Sequence, residues 1–311
     1  MNVLVIGGLG YTGSVLVNDL LNDGHQVQVF DSAWFGSHLE PRQNLKIQIG
    51  DIRSDDIPME NIDTVFHLAN VANDPSVDLA PTLSWEVNVL STMRVVESAI
   101  KSGVKNFVFA SSGSVYGVKD EPEVTEDLEL VPISVYNKTK MAAERVLLSY
   151  KDQIKVWIVR PATVCGLSPR MRLDLSVNLL TFQALKNSKI TVFGGDQVRP
   201  NIHVDDLSAV YRHILSGKAP EGIYNAGFEN ISIIEMARTI AERTGAEIVI
   251  SESNDPRSYR QSSEKLLATG FVPNKGVSNA VEELVEAFNA GQLLDNDKWY
   301  TVKSMVAKGL A

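Results

Sequence analysis

Short apolar runs and longer stretches of helical period alternate through the first half of the chain. Runs near 2–6, 26–30, 46–50, 64–68, 106–110 and 154–159 predict strands. Between them, 14–22 reads as an amphipathic helix. Residues 82–102 and 134–151 predict the two longest helices, apolar on more than one face. This alternation predicts an α/β fold built on a doubly wound parallel sheet. After Pro161 the pattern changes to short strands, turns such as Gly194-Gly195-Asp196, and helices near 173–187, 232–244 and 277–290. That predicts a smaller second region. Ile202-His203-Val204 and Ile223-Tyr224-Asn225 read as strand segments that return to the main sheet, so the two parts interleave. The expected division is 1–165 with 201–226, against 166–200 with 227–311. No internal repeat, low-complexity tract or flexible linker interrupts it.

The first apolar run, Val3-Leu4-Val5-Ile6, leads into Gly7-Gly8-Leu9-Gly10-Tyr11-Thr12-Gly13 and then into the first helix. Strand, glycine turn and helix in that order are the context of a dinucleotide fingerprint. Gly7 permits the turn, Gly10 lets a pyrophosphate approach the backbone, and Gly13 lets the helix pack on the strand. Tyr11 and Thr12 lie where the helix N-terminus faces the phosphates. A glycine turn alone also serves a mere tight connection. Asp31 ends the second run about 20 residues further on, where a carboxylate would accept the ribose hydroxyls. It favours NAD over NADP, since it would repel a 2′-phosphate and no arginine follows it in sequence.

Tyr136-Asn137-Lys138-Thr139-Lys140 places a phenol and an ammonium one helical turn apart on one face. A lone pair of this kind reads as an ordinary exposed face. As a site, Lys140 would stabilise the phenolate, drawing Tyr136 down from about 10 toward working pH as a general base. Upstream, Ser111-Ser112-Gly113-Ser114-Val115-Tyr116-Gly117 follows the run 106–110, and hydroxyls at the C-terminal end of a strand face the ligand crevice of an open sheet.

Taken together, Gly7, Gly10, Gly13, Asp31, Asp51-Ile52-Arg53, His67-Leu68-Ala69-Asn70, Asn88, Ser112, Tyr136, Lys140 and Arg160-Pro161 occur in the order of the extended short-chain dehydrogenase/reductases. The chain resembles their nucleotide-sugar epimerases and dehydratases over nearly its whole length. The resemblance implies a Rossmann domain with an interleaved substrate domain for a nucleotide-diphosphate sugar. It implies that Asp51 and Ile52 flank the adenine, Leu68 and Ala69 line the nicotinamide side, Ser112 and Tyr136 bracket the reacting hydroxyl, and Lys140 holds the nicotinamide ribose. It also implies a homodimer through the two long helices of each subunit.

Signals in the second half are weaker. Arg170, Arg172, Arg199 and Arg257 fall in predicted loops or segment ends, where each is either surface charge or a bidentate grip on a diphosphate. The family resemblance favours Arg199 and Arg257 for the diphosphate and adds Asn178. Ser168-Pro169-Arg170-Met171-Arg172-Leu173-Asp174-Leu175 resembles a branch that includes a nucleotide-activated heptose 4-dehydrogenase and is found among surface-polysaccharide enzymes. Departures narrow the chemistry. Gly113 and Ser114 stand where sugar 4,6-dehydratases carry an Asp-Glu pair, and Ser114 where decarboxylases carry glutamate. Thr163 replaces a common asparagine and Cys165 a tyrosine.

Composition changes little. At 311 residues, 44% apolar and a net charge of −9, the chain suits a soluble protein of two core-forming regions and not a nucleic-acid binder. One cysteine, no apolar run of membrane length and a strand starting at the first residues predict a cytoplasmic protein. No His, Cys or carboxylate set has metal-ligand spacing, so no metal is expected. The expected activity is NAD-dependent hydride transfer at C4 of a nucleotide sugar, most simply 4-epimerisation. The alternatives are a 4-dehydrogenase or 4-ketoreductase, and, from another class, a non-catalytic NAD-binding regulatory protein.

Overall fold

A computed structural model of the protein describes residues 1–252 and 258–310. The chain runs β1 (Asn2–Ile6), α1 (Tyr11–Asn22), β2 (Gln26–Asp31), β3 (Leu45–Ile49), β4 (Thr64–His67), α2 (Asp74–Leu79) and α3 (Pro81–Trp85). A π-helical turn, Glu86–Leu90, joins α3 to α4 (Ser91–Lys101), followed by β5 (Asn106–Ala110), a 3₁₀ turn at Gly113–Tyr116, α5 (Val135–Leu148), β6 (Lys155–Pro161) and β7 (Thr163–Cys165). The remainder is α6 (Ser176–Asn187), β8 (Lys189–Phe193), β9 (Val198–His203), α7 (Val204–Leu215), β10 (Gly222–Ala226), β11 (Glu229–Ser232), α8 (Ile233–Thr244), β12 (Glu247–Ser251), α9 (Glu264–Leu267), α10 (Val277–Asn289) and α11 (Thr301–Ala307).

Seven strands form one parallel sheet in the order β10-β6-β5-β4-β1-β2-β3. Its inner strands are buried on both faces, because successive side chains alternate between two cores, while the edge strand β3 is largely exposed. Val3 and Val5 face α1 and α7 with Leu16, Leu20, Val210 and Ile214. Leu4 and Ile6 face α4 and α5 with Val95, Val96, Ala143 and Leu147. The strand order reverses between β1 and β4, which opens a crevice beyond their carboxyl ends. Gly7, Asp31, Leu68 and Ser111 are all at or just past such ends.

Ile223-Tyr224-Asn225 joins the main sheet as part of β10, at its edge. The parallel expectation for Ile202-His203-Val204 is not met. Ile202 and His203 pair with β7 and β11 in a separate three-stranded sheet, and Val204 starts α7. His203 caps that helix by accepting from the Asp205 amide, so a strand turns straight into a helix without a loop to announce it. Residues 82–102 are likewise not one uniform helix. The π turn adds a residue per turn and swings Asn88 inward. There its amide bonds both backbone groups of Val71 and the Thr139 hydroxyl, fixing the loop after β4 to α5. A third core, with Val177, Leu180, Ile190, Met236, Ile240 and Val281, holds α6, α8 and α10 over the β8-β12 pair.

Candidate active site

The glycine turn is built as its residue types require. Gly7 has φ +85°, and a β-carbon there would lie 2.5 Å from the Ala69 amide nitrogen. At Gly13 a β-carbon would lie 2.2 Å from the Gly7 carbonyl, so only glycine lets α1 sit this close to β1. Gly10 is the N-cap of α1, whose first turn carries no acidic residue. Its unpaired amides and the positive end of its dipole face the crevice. One cleft is lined by Gly7, Gly10, Tyr11, Thr12, Gly13, Asp31, Asp51, Ile52, Leu68 and Ala69 together. These are all the residues expected to bind the cofactor except Tyr136 and Lys140.

Asp31 accepts from the Leu9 amide at 3.0 Å and the Ala33 amide at 2.8 Å. Burial nevertheless holds its carboxyl above the usual range. Asp51 is braced by Arg53 through a 2.7 Å ion pair that draws its pKa down. Tyr11 contributes backbone, not phenol, to the cleft. Its hydroxyl donates to the Gly166 carbonyl at 2.6 Å and receives the Asn178 amide at 3.1 Å.

Beyond β5 the two serines separate by strand alternation. Ser111 is buried and donates to Glu144, which also forms a 2.7 Å ion pair with buried Arg160. Ser112 faces the other way. It lies 2.7 Å from the Ser114 hydroxyl and close enough to the Tyr136 phenol, which α5 presents, to lower its pKa. Ser134 caps α5 by accepting from the Asn137 amide and donates to Asp74 at 2.6 Å.

The expected electrostatics of the tyrosine–lysine pair are corrected here. Burial pushes the Tyr136 phenol up to about 12, against the Ser112 hydrogen bond and the charge of Arg172. Lys140 is 1% exposed and donates from Nζ to the Ala110 carbonyl at 2.8 Å. Burial pulls it from 10.5 down to about 7, with Glu144 acting in the opposite sense. In the protein alone the phenol is an acid, and the lysine is the group poised near neutrality. His67, packed between Phe107 and Phe109, is lowered to about 3 by burial and by Lys140.

The second half reaches the same place. Arg170, Arg172, Leu175, Thr301 and Met305 line the cleft. Arg172 is paired with Asp174 at 2.9 Å, and Asp174 also accepts from the Thr301 amide. The contributions of Thr301 and Met305 had no local sequence signal, since α11 carries no motif and reaches the cleft only through tertiary packing. Asn178 is fully buried, bonded to Gly166, Tyr11 and Arg172, so it clasps the loop and presents no free amide to a ligand. Arg199 is half-buried on β9 and is not among the residues lining this cleft. Arg257 lies outside the described residues. Cys165 is buried with its thiol pushed up by desolvation, as a core residue would be.

A family model for the NAD dependent epimerase/dehydratase family matches residues 3–227. The chain belongs to that family. It is an NAD-dependent enzyme of the extended short-chain dehydrogenase/reductases. It is similar to the UDP-glucose 4-epimerase of Lactobacillus helveticus, 30% identical over 279 residues, covering 80% of this chain and 83% of that protein. It also resembles the solved UDP-glucose 4-epimerase of Thermotoga maritima with UDP-glucose, at 26% identity and TM-score 0.85, covering 94% of this chain and 100% of that one. The Thermus thermophilus UDP-glucose 4-epimerase complex with NAD is 28% identical with TM-score 0.80, covering 92% of this chain and 100% of that one.

His203, Asp205 and Glu283 bring a possible ligand set together that spacing did not disclose. Lys275 lies between the carboxylates, 2.7 Å from Asp205 and 2.6 Å from Glu283, so their charge is already answered. Among the described residues no helix is long and apolar enough to cross a membrane.

Proposed function

We propose that this enzyme is a nucleotide-diphosphate-sugar 4-epimerase whose reacting groups are Ser112, Tyr136 and Lys140. The observation that carries the reading is that the turn after β5 and the helix α5 bring the Ser112 hydroxyl close enough to the Tyr136 phenol to lower its pKa, one helical turn from buried Lys140. Two hydroxyls on one locus are what a C4 alcohol needs: one to take its proton, one to hold its oxygen. NAD supplies a hydride acceptor and a positively charged ring. Gly7, Gly10, Thr12 and Gly13 would take its phosphates, Asp31 its ribose, Asp51 and Ile52 its adenine, and Leu68 and Ala69 its nicotinamide side. Lys140, with N–H groups left after its bond to Ala110, would hold the second ribose. Tyr136 receives the C4 hydroxyl proton, and the C4 hydrogen departs as hydride. Tyr136 could take that proton only as the phenolate, which the positive charge of bound NAD would favour; once the keto sugar has turned its other face, the hydride would return to C4 and Tyr136 would give the proton back to the C4 oxygen.

Gly113 supports this against a dehydratase. The glycine carries no carboxyl to act as the acid of an elimination, and a β-carbon there would press on the end of the Gln261 side chain at 2.7 Å. A 4-dehydrogenase or 4-ketoreductase would use the same groups and differ only in releasing the keto sugar. The UDP-sugar relatives support a nucleotide-diphosphate sugar as substrate, with Arg199 and Arg257 as its diphosphate arginines. We further assign a Rossmann domain of 1–165 with 201–226, a substrate domain from the rest, and a cytoplasmic homodimer in surface-polysaccharide synthesis. Exposed Trp85, Leu90 and Met93 on the first long helix support the dimer. Incubation with UDP-, GDP-, CDP- and dTDP-sugars, reading product and absorbance of reduced cofactor, tests the proposal. Epimer without net reduced cofactor supports it, and stoichiometric reduced cofactor with keto sugar overturns it.

A further inference from the structure

One charged group in the cleft is unexplained by the fold. Arg170 is 1% exposed, yet its Nε and Nη2 have no hydrogen-bond partner. Its guanidinium stacks on Phe35 at 3.9 Å, in the cleft that Gly10, Thr12 and Asp31 also line. An unpaired buried cation is costly, and a native chain keeps one where a ligand answers it. Asp31 and Asp174 act on it only through space: no hydrogen bond joins either to the guanidinium, and the Asp31 oxygens take the Leu9 and Ala33 amides. Burial and neighbouring Arg172 push Arg170 down to about 9, which still leaves it charged at neutral pH. Thr301, 4% exposed, lines the same cleft from α11; its hydroxyl makes no well-formed hydrogen bond and lies beside Asp174.

We infer that Arg170 and Thr301 close on the diphosphate of the bound NAD from the side opposite the glycine turn. The charge of that cofactor is concentrated in its diphosphate, and the N-terminus of α1 already offers amides from one side. Arg170 supplies the matching planar donor fork from the second half of the chain. The clamp ties cofactor and substrate regions together, since Arg170 stands in the loop that Asn178 anchors at Gly166 and Arg172.

Titration calorimetry with NAD, NADP and ADP, ligand-observed NMR with adenosine, and thermal unfolding of the ligand-free protein test this. Arg170→Met is expected to weaken NAD and ADP by about 10- to 100-fold, with adenosine unchanged within about twofold. Its ligand-free unfolding temperature should be equal to the wild type or higher, because a buried unpaired charge has gone. Thr301→Val is expected to weaken NAD by roughly 3- to 10-fold. Should Arg170→Met not fold, Arg170→Lys, which keeps the charge and loses the fork, is expected to weaken ADP by about 5- to 10-fold. Unchanged ADP affinity in the folded variants overturns the clamp. So does equal loss for adenosine and ADP with a lowered unfolding temperature, the mark of a packing role, or loss confined to NADP, the mark of a 2′-phosphate site.

Discussion

Replacing Lys140 with methionine should make the ligand-free protein more stable while it loses activity. Lys140 is 1% exposed, and its folded pKa is about 7 against 10.5 in the unfolded chain. At 1.36 kcal/mol per pH unit, that difference sets the electrostatic cost of keeping the ammonium buried at roughly 3–5 kcal/mol. Methionine removes that cost and leaves the Ala110 carbonyl, now bonded at 2.8 Å, without its donor. An unmet buried acceptor returns about 1–3 kcal/mol, so a net gain of roughly 1–3 kcal/mol is expected at pH 7. The sign with pH is fixed. Between about 7 and 10.5 the unfolded chain binds the lysine proton and the folded chain does not, so wild-type stability rises with pH across that window. The variant has no such titration, so its advantage should vanish as pH rises and give way by about pH 10 to a deficit of roughly 1–2 kcal/mol, the unmet Ala110 carbonyl remaining when the charge cost has gone. Urea unfolding of both proteins, followed by circular dichroism at pH 7 and pH 10, measures it. A variant less stable than wild type at pH 7, or a difference that does not change with pH, refutes the reasoning.

Three further outcomes follow from the site. NAD should bind more tightly than NADP in titration calorimetry, because Asp31, in its proposed place at the ribose, would repel a 2′-phosphate; comparable dissociation constants would contradict it. Tyr136→Phe should abolish turnover and leave NAD affinity within about twofold, since the phenol acts on the substrate proton; substantial retained activity would show another base. Arg199→Ala and Arg257→Ala should each weaken nucleotide-sugar binding by about 1.5–3 kcal/mol, the range for charge-assisted hydrogen bonds, where surface charges would give less than about 1 kcal/mol. Wild-type kinetic constants in both would remove them from the site.

What the sequence disclosed follows from how local each cause is. Gly7 and Gly13 could be assigned because the turn they serve is contiguous with β1 and α1, and the distances of 2.5 and 2.2 Å to backbone atoms are the contacts their spacing implies. The two cores of the parallel sheet were legible in Val3-Leu4-Val5-Ile6 for the same reason. Pairing partners of β9 were not, since a three-residue apolar string fits either sheet and only the neighbouring β7 and β11 decide. The lysine–tyrosine spacing correctly placed both residues on α5, yet gave the wrong direction for the phenol. Spacing carries proximity, whereas burial by Phe109, Ala110 and the rest of the core decides the charge. Arg170 looked like any loop arginine. Its missing partners appear only when Phe35, Asp31 and α11 are folded around it.

The central claim is reversible hydride transfer at C4 with Tyr136 as the proton carrier. Its most direct test is turnover of UDP-glucose carrying deuterium at C4, in ordinary water, with the product analysed by NMR and mass spectrometry. The account predicts that the 4-epimer keeps the deuterium at C4, with a primary isotope effect on turnover and no solvent hydrogen taken up at C4. Loss of the deuterium to water would mean that C4 gives up a proton and not a hydride, and would contradict the account.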